Sequence, residues 1–488
     1  MSRLRIPLAA HGRRGRSATT ARAIAAAAAL TFAASSLACD RQPPAIPPLH
    51  VLLVTTEGLR ADHLSAYVYS RTTSSWEVDP GQRAEGRNLA LDDLAEQGVL
   101  FESAFTPAVD TPTSLAALFT GHAPPLGMQL TGLPQETVTL AERFQLAGFT
   151  TAAFVTGEPL STAGGFDQGF DVYQYKRGDT QVLSSAVRWL FDLDLGSGKP
   201  LLLWIHLAGA APPHEPFAIP PVPGSEADEL DYAALFIDPA RPASLQARDY
   251  AALFTDPEYS GPVDGSHEFL ASADAREVEL DAADRQHLVD LYDGEVAQLA
   301  SLVRSFLLAF QSVTATDAAW QRTLFVLAGV NGVELGEHGG WGLSLHPGAA
   351  RVPLLFRHPD SITGSRVLAE VVDLPDVAPS LCEIFAIEME TGGGERDGRS
   401  LRPLLSPGRG GAFPSRAAVT IAPLGDHAAA LRTPSWSLVW RRVEGGGEEV
   451  QLFDRVRDPL DLRDLSASQP VIAHELRNEV VRLTTRIP

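Results

Sequence analysis

Short unbroken apolar runs alternate along this chain with longer stretches of helical period. His50–Thr56 is a continuous run of the kind a central parallel strand shows when both its faces are buried. Phe149–Val155, Leu201–His206, Thr323–Leu327 and Val352–Phe356 read the same way. Asn88–Gln97, Thr111–Phe119, Thr137–Ala147, Thr180–Phe191, Asp284–Phe310 and Asp376–Phe385 carry helical spacing, the first of them closed by Gly98 as a C-cap. Strands alternating with helices predict an α/β fold, a mostly parallel sheet sandwiched by helices. This domain is expected over 50–405.

Two segments break the rhythm. Pro213–Ala283 is acidic, rich in Pro and aromatic residues and weakly periodic, and is expected to be a solvated surface excursion. It repeats itself once, DYAALFIDP at Asp231–Pro239 and DYAALFTDP at Asp249–Pro257, too few copies for a solenoid. Gly392–Gly411 is rich in Gly and Arg and reads as a linker. Beyond it, Ala417–Ile421, Ala428–Arg432, Trp436–Arg442 and Val450–Asp454 are strand-like runs between turn residues, and Val471–Thr484 is amphipathic. They predict a small C-terminal antiparallel α+β subdomain over 412–488.

The formal net charge is −21, and residues 1–38 carry six Arg and no acid, so the rest of the chain is more acidic still. Such a body repels nucleic acid and anionic membrane surfaces, which argues against a nucleic-acid partner. The N-terminus reads as an export signal over 1–38, a basic region followed by the apolar run Ala23–Ala38. Small residues then precede Cys39, as in a bacterial lipoprotein signal, although Leu37 stands one place closer to the cysteine than the usual pattern has it. Residues 39–49 would then be a polar, Pro-rich tether, and lipid on Cys39 the protein's one link to the membrane. Cys382, in an apolar helical run, is expected to be a buried thiol, so no disulfide framework is implied.

Several ordered motifs carry a family resemblance: VLLVTTEGLRADHL at Val51–Leu64, SLAALFTG at Ser114–Gly121, GFDQGFDVY at Gly165–Tyr173, LYDGEVA at Leu291–Ala297, GVNGVELGEHGGWGLSLHPGAARVP at Gly329–Pro353, DGRSLRPLL at Asp397–Leu405 and LFDRVRDPLDLRDL at Leu452–Leu465. Together they resemble the sulfatase family of the alkaline phosphatase superfamily, from Pro48 to the C-terminus. The resemblance implies that superfamily's fold and the hydrolysis of an anionic ester at a metal centre. That chemistry needs a divalent cation such as calcium held by several oxygens, an activated nucleophile and cationic side chains.

The frame is present but the ligands are mostly altered. Where sulfatases end the opening strand in aspartates, this chain has Glu57. At the nucleophile position, where they carry a Cys or Ser that becomes formylglycine, stands Thr111, which also suits a helix N-cap. The basic residue that should follow is Leu115. The late strand that should end Asp-His or Asp-Asn ends Val330, Asn331, so Glu57 and Asn331 are the remaining metal candidates. Ala211 replaces a His, with His214 and Glu215 nearby, and Leu343 replaces the Lys or His that contacts the ester. Leu115, Ala211, Val330 and Leu343 are expected to line the old pocket with apolar groups, and Glu334, Glu337 and His338 remain at its rim.

Losing one transition-state donor costs about a hundred- to a thousand-fold in rate, and these losses come together. The expectation is an exported pseudoenzyme with no cofactor, binding a ligand or protein partner not identified by the sequence. The alternative is a divergent metal-dependent sulfuric or phosphoric ester hydrolase using Thr111. A scaffold role for the acidic excursion is the third reading.

Overall fold

The structure, a computed structural model, describes residues 49–75, 89–127, 130–161, 164–193, 198–211, 249–274, 279–313, 317–362, 364–389, 394, 397–406, 413–422, 427–443 and 445–485. The signal region, the tether with Cys39, the first repeat copy, His214 and Glu215 lie outside the described residues.

The main sheet is built from β1 (His50–Thr56), β2 (Val99–Phe105), β3 (Thr150–Val155), β4 (Val172–Tyr175), β5 (Leu201–Leu207), β6 (Thr323–Gly329), β9 (Leu354–Arg357) and β10 (Arg366–Asp373), while β7 (Glu334–Leu335) and β8 (Trp341–Gly342) pair as a small separate hairpin. The order across the sheet is β10-β2-β9-β6-β1-β5-β3-β4, and β9 alone runs against the others. Every residue of β1, β5 and β6 is buried, as their unbroken apolar runs require.

Alternate side chains of those strands feed two apolar layers. Val51, Leu53, Trp204 and Val326 pack with the helices Thr111–Thr120, Leu140–Leu146 and Val377–Ile384. Leu52, Val54, Leu203 and Phe325 pack on the opposite face with the helices Asp179–Asp192 and Ala282–Val313. Cys382 is buried in the first layer, where burial pushes its thiol up to about 11. Among the described residues no helix is long and apolar enough to cross a membrane.

The C-terminal sheet has the order β11-β12-β13-β14, with β11 (Ala418–Ile421), β12 (Ala428–Arg432), β13 (Trp436–Arg442) and β14 (Glu448–Asp454), all antiparallel. The helix Pro470–Thr485 covers one face through Ala473 and Val480 against Leu438, Trp440 and Leu452. The other face turns toward the main body, where Val439 and Phe453 pack with Val109 and Leu345. Arg432 and Arg455 both lie over the ring of Phe105 at the end of β2, 5.4 and 4.8 Å from its centroid.

Several expectations need correction. The described part of the excursion is not a solvated loop. Tyr250 of the second repeat copy is buried and donates its hydroxyl to Ser301 on the long helix at 2.8 Å. Val263, Phe269 and Leu270 pack on Leu288 and Leu291 of that helix. Acidic composition masked these spaced apolar anchors. The Gly392–Gly411 linker likewise contains Leu401 and Leu405, both fully buried in the main core. Strands β4 and β10 were not expected: both lie at the edges of the sheet, and half-exposed edge strands lack an unbroken apolar run. Gly98 does close its helix, but with φ −128°, not a left-handed one. A Cβ there would stand 2.4 Å from the Phe356 carbonyl oxygen, so close approach is what requires glycine.

Candidate functional site

The carboxyl ends of β1, β5 and β6 open on the same side, where α/β sheets place their sites. Glu57 follows β1 directly, its N–H bonded to the Leu207 carbonyl at 2.9 Å. Gly58 then turns the chain at φ +73°, and a Cβ there would lie 2.2 Å from the Ala210 carbonyl oxygen. That turn seats the end of β1 against Ala210–Ala211. The helix Thr111–Thr120 begins beside it. Its N-cap is Asp110, whose side chain accepts from the Thr113 N–H at 3.0 Å. This corrects the N-cap reading of Thr111, which is the first helical residue and has its hydroxyl free for another partner.

That partner is Glu57: the Thr111 hydroxyl donates to Oε1 of the carboxylate. The same hydroxyl accepts from Asn331 Nδ2 at 3.2 Å. Asn331 is fully engaged, because Nδ2 also donates to the Val109 carbonyl at 2.9 Å and Oδ1 accepts the Gly58 N–H at 2.8 Å. So the three residues nominated for nucleophile and metal, from positions far apart in sequence, meet in one hydrogen-bonded knot.

The knot is electronegative. Burial raises Glu57 above the usual carboxylate range, with the Thr111 bond pulling the other way. Asp179 lies near enough to feel it. Burial pushes Asp179 up to about 6, with Glu57 adding to the rise, while the N–H groups of Ala208 and Gly209 oppose it. The buried arginine of the LRADHL segment brings no relief: Arg60 pairs with Asp62 at 2.8 Å and Glu337 at 2.6 Å and donates to the Val333 carbonyl at 3.1 Å.

Do these residues fit a divalent cation? A hard cation needs several oxygens with lone pairs aimed at one point. Asn331 spends its oxygen on Gly58, Glu57 accepts from Thr111, and Val330 offers no side-chain oxygen. Among the described residues no group of three or more His, Cys, Asp or Glu side chains is placed to hold a metal ion. The donor set does not fit.

The remaining nominated residues divide into three places. Leu115 and Val330 line no cleft; both are fully buried in the core layer beneath the knot, so their apolar character is core packing. Ala211 ends the bend after β5 and bonds its N–H to Ala208 at 3.0 Å. Leu343 is 51% exposed and, with Glu334 and His338, lines a cleft of about 520 Å³ between the β7–β8 hairpin and the C-terminal sheet. Its other walls include Trp341, His346, Arg441, Glu449 and Gln451. Glu337 stands apart from that lining, paired with Arg60.

Sequence reasoning missed Asp110, Asp179, His346 and the whole C-terminal wall. Asp110 had a signal, an Asp three positions ahead of the bonded N–H with Pro112 in the first turn. The C-terminal wall had none, because the register of β13 on β14 places Arg441 opposite Glu449 and Val439 opposite Gln451.

A family model described as Sulfatase matches residues 50–387. Among solved structures, the phosphonate monoester hydrolase of Agrobacterium radiobacter is similar at 18% identity and TM-score 0.61, over 89% of this chain and 95% of that one. A phosphonate monoester hydrolase from Silicibacter pomeroyi is similar at 17% identity and TM-score 0.61, over 89% and 94%. A 2-O GAG sulfatase is similar at 17% identity and TM-score 0.62, over 90% and 93%. At these identities the likeness shows the fold. No curated protein matches the chain.

Proposed function

This chain belongs to the sulfatase family, and we propose that within it the protein is an exported, lipid-anchored pseudoenzyme that binds a ligand or protein partner and does not turn over esters. The observation that carries this reading is the closed Glu57–Thr111–Asn331 knot. The Thr111 hydroxyl, Glu57 Oε1 and the Asn331 amide are spent on one another and on backbone groups where the family's chemistry calls for oxygens turned toward a cation. The cleft of about 520 Å³ at the C-terminal sheet has the size of a small-molecule site and is where binding is assigned.

Elemental analysis of the purified protein, with turnover of aryl sulfate, phosphate and phosphonate esters, tests this. The expected result is no stoichiometric calcium, magnesium or zinc and no turnover above background. One tightly held divalent ion per chain would overturn the reading. Metabolic labelling with a fatty acid, lost in Cys39→Ser, checks the anchor; an unlabelled wild-type protein would sink it.

A second reading is favoured by one contact. The Thr111 hydroxyl donates to a carboxylate whose pKa burial raises, the direction a general base needs. On that reading the chain is a divergent sulfuric or phosphoric ester hydrolase with Thr111 as nucleophile. It would need a divalent cation that the described donors do not cage. Metal-stimulated turnover abolished by Thr111→Ala would establish it.

A further inference from the structure

One wall of the cleft is a pair of stacked imidazoles. His338 and His346 lie face to face, 3.6 Å between centroids and 9° from parallel. Both nitrogens of His338 are occupied. Nδ1 is 2.8 Å from the Glu334 carboxylate, and Nε2 is 2.9 Å from the backbone carbonyl of Asp461. A carbonyl oxygen has no proton to give, so Nε2 donates. An ionised carboxylate only accepts, so Nδ1 donates too, and the ring holding both bonds is an imidazolium. The other oxygen of Glu334 accepts from Ser344 at 2.9 Å, which fixes the carboxylate's orientation.

The Glu334 bond lies within the β7–β8 hairpin, whereas the Asp461 bond joins that hairpin to a separate part of the molecule. Glu334 begins the β7–β8 hairpin, and Asp461 lies on the loop after β14 in the C-terminal subdomain. We propose that His338 is a proton-dependent clasp: the doubly protonated ring fastens the hairpin to the Asp461 loop through Nε2–H, and on losing one proton it keeps the one facing the Glu334 carboxylate, which leaves an Nε2 lone pair against the Asp461 carbonyl and releases the loop, so that proton binding sets the shape of the cleft. The cleft's role as the binding site comes from the function proposed above; the clasp itself rests on the geometry alone.

The groups around the ring agree in sign. Burial opposes the charge on His338, but Glu334, the Asp461 carbonyl and Glu337 more than offset it, and the ring titrates above the usual histidine range. His346 stays neutral beneath it. Burial, then the charges of His338, Arg432 and Arg441, push it down to about 3. Its buried Nδ1 has no hydrogen-bond partner and stands 3.9 Å from the Asp461 carboxylate. Asp461 accepts from Ser437 at 2.6 Å, and burial raises it to about 6 despite Arg432. Across the cleft, Arg441 faces Glu449 on the adjacent strand.

A histidine pKa raised by folding gives stabilisation that is complete below about 6.5 and is lost as pH climbs through the folded value. The raised Asp461 works in the same direction at lower pH: its contribution declines as pH rises from the unfolded carboxylate value of about 3.9 toward about 6. The clasp is therefore tight in mild acid and loose in alkali.

Hydrogen exchange read by mass spectrometry on the full chain tests it, with no ligand added, between about pH 5.5 and 9 and corrected for the intrinsic rate. Peptides over 334–346 and 455–465 should lose protection by about ten- to a hundred-fold across the titration, as expected for one charged hydrogen bond. Peptides over 49–56 should stay unchanged. His338→Gln should flatten the step, and Glu334→Gln should move it to lower pH. A flat wild-type profile, a step that survives His338→Gln, or simultaneous loss of protection in β1 would each overturn the clasp. Since no ligand enters the assay, a cleft that binds nothing would defeat the proposed function and leave this result standing.

Discussion

Thr111→Val separates the two readings of the knot, because it keeps the shape of the side chain and removes its hydroxyl. The hydroxyl does two things: it donates to Glu57 and accepts from Asn331 Nδ2. Valine leaves the carboxylate without that donor and one amide hydrogen without an acceptor. Asn331 keeps its bonds to Val109 and Gly58, so the amide stays in place. A polar group stranded in a buried site costs about 1–3 kcal/mol. Thr111 is 4% exposed, which keeps water from replacing the lost bonds from its side, but Glu57 is only partly buried and recovers some hydration. The expected loss is therefore about 1–2 kcal/mol. For a folded unit spanning residues 47–488, the per-residue unfolding entropy converts this to a Tm lower by about 1–2 °C. Guanidinium titration alongside calorimetry reads the same loss as a lower midpoint with unchanged slope. If the hydroxyl is a structural donor, stability falls and no ester turnover is affected. An unchanged midpoint together with loss of measurable wild-type turnover would refute the reasoning and make Thr111 a nucleophile.

Three further perturbations bear on the same region. Glu57→Gln removes a carboxylate whose pKa folding raises; since the wild type loses stability as pH climbs through that raised value, the variant's relative stability should grow with pH in denaturant titrations from about pH 4 to 8, and a difference constant with pH would show that charge is not the cause. Val330→Asp introduces the carboxylate that the family resemblance implies at the end of β6 but buries it in the core layer, so it should cost about 3 kcal/mol or more, and millimolar calcium should give no recovery of Tm; full recovery would mean that a cage can be rebuilt there. Gly58→Ala forces a Cβ into the Ala210 carbonyl at φ +73° and should lower Tm by several degrees or abolish soluble expression; a wild-type Tm would show that the turn after β1 is not fixed by β5.

How much of this was legible in the sequence follows from how far each feature reaches along the chain. Strand β1 was readable to the residue, because burial on both faces leaves an unbroken apolar run. The helix that presents Thr111 was readable to within a residue, but its cap was misplaced by one. Asp110 and Thr111 are both good caps by composition, and the structure gives the role to Asp110. That shift of one position is what turns the Thr111 hydroxyl from a local cap into a long-range bond with Glu57. The substitutions at Glu57, Thr111, Leu115, Val330 and Leu343 were all visible, yet reading them as the lining of one emptied pocket was not right. Leu115 and Val330 complete a core, Glu57 and Thr111 close on Asn331, and Leu343 faces a different cleft.

The difference matters for what kind of protein can result. Deleting charges from a pocket while leaving its walls in place would leave a hole that destabilises the fold. Here the positions are refilled. Val330 packs in the core layer, the Asn331 amide bonds backbone groups on two sides, and Glu57, one methylene longer than an aspartate, reaches the Thr111 hydroxyl. These hydrogen bonds tie the strand ends of β1 and β6 to the helix that begins at Thr111. The exposed Arg441, Glu449 and Gln451 of the cleft at the C-terminal sheet belong to β13 and β14 and take no part in the knot.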